Sequence, residues 1–142
     1  LDDSRWNHTL YQTQAINSEG LEGHAYVPDG IKVKTSSPLN DHAGTNPEQL
    51  LGMSLSTCLD ATLEAIEHER KLPHISAVRV KVAFIGARAN YEFLVHAQIK
   101  IDGVDSQTAK AMTKEAEERC CVSKLLKNSG NYTVETVTHF DD

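Results

Sequence analysis

Aromatic side chains are scarce in this chain of 142 residues, at 6% of positions with a single Trp. Apolar burial therefore has to come mainly from Leu, Ile, Val and Ala. An excess of positive charge is missing as well: the formal net charge is -6 and the pI is near 5.6. A nucleic-acid binder needs a basic face to displace counterions from phosphates. No Lys/Arg cluster here offers one, so nucleic acid is not an expected partner. No apolar run approaches the roughly 18 to 20 residues that span a bilayer, so no membrane association is expected. The N-terminus has no basic segment followed by an apolar core, and no secretory signal is visible.

Cysteine is sparse and odd in number, with only Cys58, Cys120 and Cys121. A structural disulfide framework normally uses an even count. A reducing compartment holding catalytic or buried thiols fits better, and a cytoplasmic protein is expected. The CxxC motif is absent, which speaks against a thioredoxin-like or zinc-ribbon site. The seven histidines are His8, His24, His42, His68, His74, His96 and His139. None stands at ligand spacing with another His or a Cys, so neither a metal nor another cofactor is expected. Gly44-Thr45-Asn46-Pro47 precedes a helix but lacks the glycines and Lys of a phosphate-binding loop.

What is present is the ordinary composition of a folded domain, 39% hydrophobic and 24% charged. Trp6 to Ile16 is polar and β-prone. Pro28-Asp29-Gly30 is a turn signal between Ala25-Tyr26-Val27 and Ile31-Lys32-Val33-Lys34. Pro47 and Glu48 open a helix, where Pro is tolerated and negative charge is favoured. Leu51, Leu55, Cys58, Thr62 and Ile66 share one face of it, widened by Leu50, Leu59 and Leu63. This helix is expected to be central and largely buried, ending between Arg70 and Pro73.

Val78, Val80, Val82 and Phe84 alternate with Arg79, Lys81 and Ala83. Tyr91, Phe93, Val95, Ala97 and Ile99 alternate with Glu92, His96, Gln98 and Lys100. Both read as strands with one polar face, joined through Gly86 to Asn90 as an antiparallel hairpin. A second helix is predicted from Asp105 or Ser106 to about Arg119, with Ala109, Met112, Ala116 and Cys120 on its buried side. A last strand is predicted over Tyr132 to Phe140. The expected architecture is a single α+β domain over residues 1–142.

On the residues alone, Cys58 has two open readings. Buried free Cys usually serves as a small hydrophobe. As a reactive thiol in mid-helix it lies beyond the reach of the helix N-terminus, and it needs a cation or hydrogen-bond donor to form thiolate. Cys120 and Cys121 carry the same ambiguity, with Cys120 on the better face.

The segment Gly44-Thr45-Asn46-Pro47-Glu48-Gln49-Leu50, followed by Cys58, resembles the signature of the OsmC/Ohr family. Cys120-Cys121-Val122-Ser123 resembles its second element, Cys-Pro-aromatic-Ser near a helix end. The order of elements agrees over nearly the whole chain. The resemblance implies an OsmC-like fold of antiparallel sheets packed around two central helices, in an intertwined homodimer. It implies a peroxidase of the oxidative stress response that reduces organic hydroperoxides without metal or flavin. Cys58 would attack the peroxide and become sulfenic acid, and Cys120 would condense with it. An external dithiol, a lipoyl-type one being a candidate, would reduce the disulfide.

In the Ohr branch an Arg in a glycine-rich turn bonds the peroxidatic thiolate, and the Glu matched here by Glu48 holds that Arg. Leu21 stands at the Arg position in this chain, within Glu19-Gly20-Leu21-Glu22-Gly23. His24, His42 and Arg5 are then candidates for a replacement donor. The alternative is a non-enzymatic member of the fold that senses oxidants or binds a small apolar ligand.

Overall fold

The computed structural model describes residues 2–141, which fall into two units, one ending at Asn46 and one beginning at Pro47. In the first unit, strands β1 (His24–Tyr26) and β2 (Lys32–Lys34) form an antiparallel hairpin, with Ala25 opposite Val33. Asp29 takes a positive φ of 57° in the turn, a conformation that Asp tolerates better than most residues. The β-prone stretch from Trp6 to Ile16 does not form a strand. Ser4–Asn7 is a 3-10 turn, and only Ile16 makes an isolated bridge, to Tyr26. β-propensity without a neighbouring edge to pair with is a weak determinant.

The second unit begins with helix α1 (Pro47–Glu69). Its end is built without glycine. Lys71 adopts a φ of 60°, while the Leu72 amide donates to the Glu67 carbonyl at 2.8 Å and the Lys71 amide to that of His68 at 3.0 Å. This double closure is a Schellman-type cap, which usually recruits Gly at the left-handed position. Buried along α1 are Leu55, Leu59, Leu63, Ile66 and Glu67. The helix is thus amphipathic rather than largely buried, and Met53 is 55% exposed.

Strands β3 (Ser76–Ala87) and β4 (Asn90–Ile101) form the expected hairpin, in a register that sets Val78, Val80 and Val82 opposite Ile99, Ala97 and Val95. Helices α2 (Ser106–Arg119) and α3 (Cys121–Leu126) follow, then strand β5 (Tyr132–Val137). Asp105 caps α2 by accepting from the Thr108 amide at 2.7 Å.

Here the expectation of purely antiparallel pairing is corrected. β5 runs parallel to β4, with Tyr132 beside Val95 and Thr136 beside Ile99. The excursion through α2 and α3 is the crossover that parallel neighbours require. The order β3-β4-β5 therefore gives a mixed sheet.

One face of this sheet receives the helices. Val95, Ala97, Ile99 and Ile101 pack with Leu55, Leu59, Leu63 and Ile66 of α1, with Ala109, Met112 and Ala116 of α2, and with Cys120. The other face is polar. Arg79 Nε donates to Gln98 Oε1 at 2.8 Å, Gln98 Nε2 donates to Glu135 Oε2 at 3.2 Å, and His96 contacts Thr133 and Glu135. The alternation read from the sequence is thereby realised as a core side and a polar side.

Candidate active site

Cys58 occupies the middle of α1, one turn beyond Leu55, and is half-buried against the core. Its carbonyl accepts from Thr62 Oγ1 at 2.8 Å. Three turns of helix separate it from the α1 N-terminus, so α1 itself gives its sulfur little electrostatic help.

The second helix ends at Arg119, as read from the sequence, and Cys120 follows as its cap. What the sequence reading did not give is the immediate restart of the chain as α3, which Cys120 also caps. Its amide donates to the Ala116 carbonyl at 2.8 Å, its φ and ψ of -67° and 123° are extended, and its Sγ accepts from the Ser123 amide at 3.4 Å. Cysteine is not a preferred cap, so no local signal announced that a new helix starts at Cys121. The side chain is fully buried, whereas that of Cys121 is exposed.

The two sulfurs have opposite electrostatic fates. Burial pushes the Cys58 thiol up. The backbone N–H of Val122, the Cys120 thiol and the backbone N–H of Cys121 outweigh that effect and hold it below the ordinary thiol range. Cys120 is pushed up to about 11, first by burial and then, among other effects, by the neighbouring Cys58 sulfur and its charge. The two sulfurs thus face each other, with the Cys120 thiol placed to donate to Cys58. Of the sequence-selected cysteines, the fold brings together Cys58 and Cys120, about sixty residues apart in the chain, and leaves all three free.

Glu48 is placed elsewhere. It lies in the first turn of α1 and lines a groove of about 410 Å³ with Gln49, Gly52, Met53, Val80 and Val82. Ten residues of helix put it roughly 15 Å along the axis from Cys58. Among the described residues of its own unit, no cation forms an ion pair with it. In the first unit, Arg5 is tied to Asp3 and His24 Nδ1 lies 3.7 Å from Glu19, while Leu21 and His42 line a hollow of about 350 Å³. Within the second unit, the donors that favour the Cys58 thiolate are the amides at the start of α3 and the Cys120 thiol.

Two further residues at the site were given no role from sequence. Ser123, 2% exposed, places its hydroxyl 3.0 Å from the Tyr132 hydroxyl on β5. Burial raises the Tyr132 phenol, although the Ser123 bond pulls it down. Ser123 is part of the Cys-x-x-Ser element, but nothing in the sequence pointed to Tyr132. Among the described residues, no group of three or more His, Cys, Asp or Glu could hold a metal ion, and no helix is long and apolar enough to cross a membrane.

The profile of the family described as OsmC-like protein matches residues 40–135, a span that includes Glu48, Cys58, Cys120 and Ser123. The chain belongs to the OsmC-like family. A crystal structure of a Lactobacillus casei protein described as a "putative redox protein" is 74% identical, with a TM-score of 0.97, covering 99% of this chain and 100% of that one. The organic hydroperoxide resistance protein-like 2 of Staphylococcus epidermidis is 25% identical over 136 residues, 90% of this chain and 94% of the relative. The organic hydroperoxide resistance protein OhrB of Bacillus subtilis has a solved structure that superimposes with a TM-score of 0.78 at 24% identity, covering 90% and 98%. That last likeness concerns the fold, which is the OsmC/Ohr fold of mixed α and β elements.

Proposed function

We propose that this protein is a thiol-dependent peroxidase that reduces organic hydroperoxides through Cys58 and Cys120. The observation that carries the reading is the meeting of two free thiols, with the fully buried Cys120 within hydrogen-bond reach of Cys58 beside the amides that open α3. The Cys58 thiolate attacks a peroxide oxygen, the O–O bond breaks, and the alkoxide leaves as the alcohol after taking a proton. Cys58 is then a sulfenic acid. Its negative charge is gone, and with it one of the effects that kept Cys120 protonated. Cys120 now attacks Cys58, a disulfide forms, and water departs. An external dithiol of lipoyl type returns both thiols by exchange. No metal or flavin takes part.

The names of the relatives support this reaction class, since several are organic hydroperoxide resistance proteins. We propose further that the two units act as one domain of a cytoplasmic homodimer. In support, the end of the β3–β4 hairpin carries an exposed aromatic cluster. Phe84 lies edge-on to Tyr91 and Phe93, at 4.8 and 6.1 Å between ring centres.

The test is consumption of an organic hydroperoxide under excess dihydrolipoamide, comparing the parent with Cys58→Ser and Cys120→Ser. The expected result is turnover in the parent and its loss in both variants. A parent without turnover, whose Cys58 oxidises only once and slowly, would refute the reading. It would favour a sensor or apolar-ligand module, the alternative that Leu21 supports.

A further inference from the structure

Ser123 and Tyr132 have no role in the chemistry just given, yet Ser123 reaches one of its sulfurs and Tyr132 reaches Ser123. The Ser123 amide donates to Cys120 Sγ at 3.4 Å, and the Ser123 hydroxyl is 3.0 Å from Tyr132 OH. Buried hydroxyls need partners, and these two satisfy each other across the gap between α3 and β5. The strand end that bears Tyr132 is itself anchored, because the Val95 amide on β4 donates to the adjacent Asn131 carbonyl at 2.9 Å. A sheet strand, a phenol, a serine and an amide thus form one continuous support behind the Cys120 sulfur.

We propose that Tyr132 is a positioning residue, whose hydroxyl acts through Ser123 to hold Cys120 Sγ for disulfide formation with Cys58. The inference rests on the peroxidase reading and concerns only its second step. In that step a bond forms between the two sulfurs and the S–O bond of the Cys58 sulfenic acid breaks. The departing hydroxide takes up the proton that Cys120 gives up, and leaves as water. The Ser123 amide favours the Cys120 thiolate at the moment of attack, provided it stays aimed at the sulfur. Small misplacements of reacting atoms are costly in rate. Without the phenolic oxygen, the Ser123 side chain loses the contact that fixes its rotamer, and the Ser123 amide is held on Cys120 Sγ less firmly. The attack on peroxide belongs to Cys58, whose backbone donors are the amides of Cys121 and Val122 and not that of Ser123.

The experiment is a single-turnover reaction of the full chain with one equivalent of cumene hydroperoxide. Cys58 sulfenic acid is trapped with dimedone, and the Cys58–Cys120 disulfide is read by mass spectrometry. Tyr132→Phe keeps the ring and removes one oxygen. It is expected to form sulfenic acid at the parent rate and disulfide about three- to tenfold more slowly, the range that one hydrogen bond is worth. The dimedone adduct should therefore accumulate. Ser123→Ala should slow the same step, and the double variant should be no slower than Ser123→Ala, as for groups acting as one unit. Ser123→Thr, which keeps a hydroxyl, should restore most of the rate.

Parent-like disulfide formation in Tyr132→Phe would overturn the positioning role, as would equal slowing of both steps. Either result would leave the peroxidase reading standing. Absence of sulfenic acid in the parent would instead remove that reading, and the inference with it. Should Tyr132→Phe prove unfolded by thermal melting, Ser123→Ala and Ser123→Thr carry the same comparison.

Discussion

Replacing Cys121 by proline would remove one of the donors to the reactive sulfur while leaving the local backbone in place. Cys121 is the first residue of α3, a position where proline is well tolerated. Cys120 before it is already extended, with ψ near 123°, as a residue preceding proline must be. The family element that this segment resembles also carries proline there. The substitution deletes the Cys121 N–H, one of the groups that offset burial at Cys58. A hydrogen bond to a charged group is worth about 1.5–3 kcal/mol. Cys58 is only half-buried and the Val122 amide remains, so water and the second donor recover part of that. A residual of about 1 kcal/mol corresponds to a roughly fivefold change in the thiolate fraction.

The assay is alkylation of Cys58 by iodoacetamide across pH 6 to 10, with the modified peptide identified by mass spectrometry. The parent midpoint is expected below that of an ordinary thiol, because the donors outweigh burial. Cys121→Pro should move the profile to higher pH and slow the reaction about fivefold at neutral pH. Cys121→Ala, which keeps the amide and removes the thiol, should behave like the parent. An unchanged profile in Cys121→Pro, or an equal loss in Cys121→Ala, would refute the reasoning.

Glu48→Gln is expected to leave the Cys58 alkylation profile within about twofold of the parent, since roughly 15 Å of helix separates the two; a larger shift would show that Glu48 acts on the thiolate. A pH-dependent clasp lies at the other end of α1. Buried Glu67 accepts from the Ile75 amide at 3.0 Å and meets His74 Nδ1 at 2.8 Å, while His74 Nε2 lies 3.0 Å from Asp60. The hydrogen bond with Glu67 raises the His74 imidazole above its ordinary 6.5 despite some desolvation, and Asp60 adds to the rise. A folded-state value above the unfolded one stabilises fully below about 6.5, and that contribution is lost as pH climbs through the raised value. The melting temperature of His74→Ala should therefore fall further below the parent at pH 6 than at pH 9. An equal deficit at both would mean that the ring contributes packing and not charge.

Secondary structure was largely legible from sequence because its cues are local. The three- and four-residue steps from Leu51 to Ile66, the alternation around Val80 and Ala97, and the Asp105 cap each depend on neighbours in the chain. The same reading failed at Trp6 to Ile16, where a β-prone composition met the edge of β1 only at Ile16. It also missed the parallel β5, since direction depends on where the crossover through α2 and α3 returns the chain.

The site divides along the same line. Its cysteines and Ser123 sit in short motifs, so the sequence by itself determined which residue types are available for thiol chemistry, and the resemblance it carries pointed to Cys58 and Cys120. Their inequality was decided by tertiary structure. Burial behind Met112 and Ala116, the break of the helix at Cys120, and the amides of α3 turned toward Cys58 are products of packing between segments about sixty residues apart. The Ser123–Tyr132 contact is of the same kind, because a hydroxyl on β5 reaches α3 only after the sheet has formed. Electrostatics and hydrogen bonding act over a few ångströms, and only the folded chain decides which groups come that close.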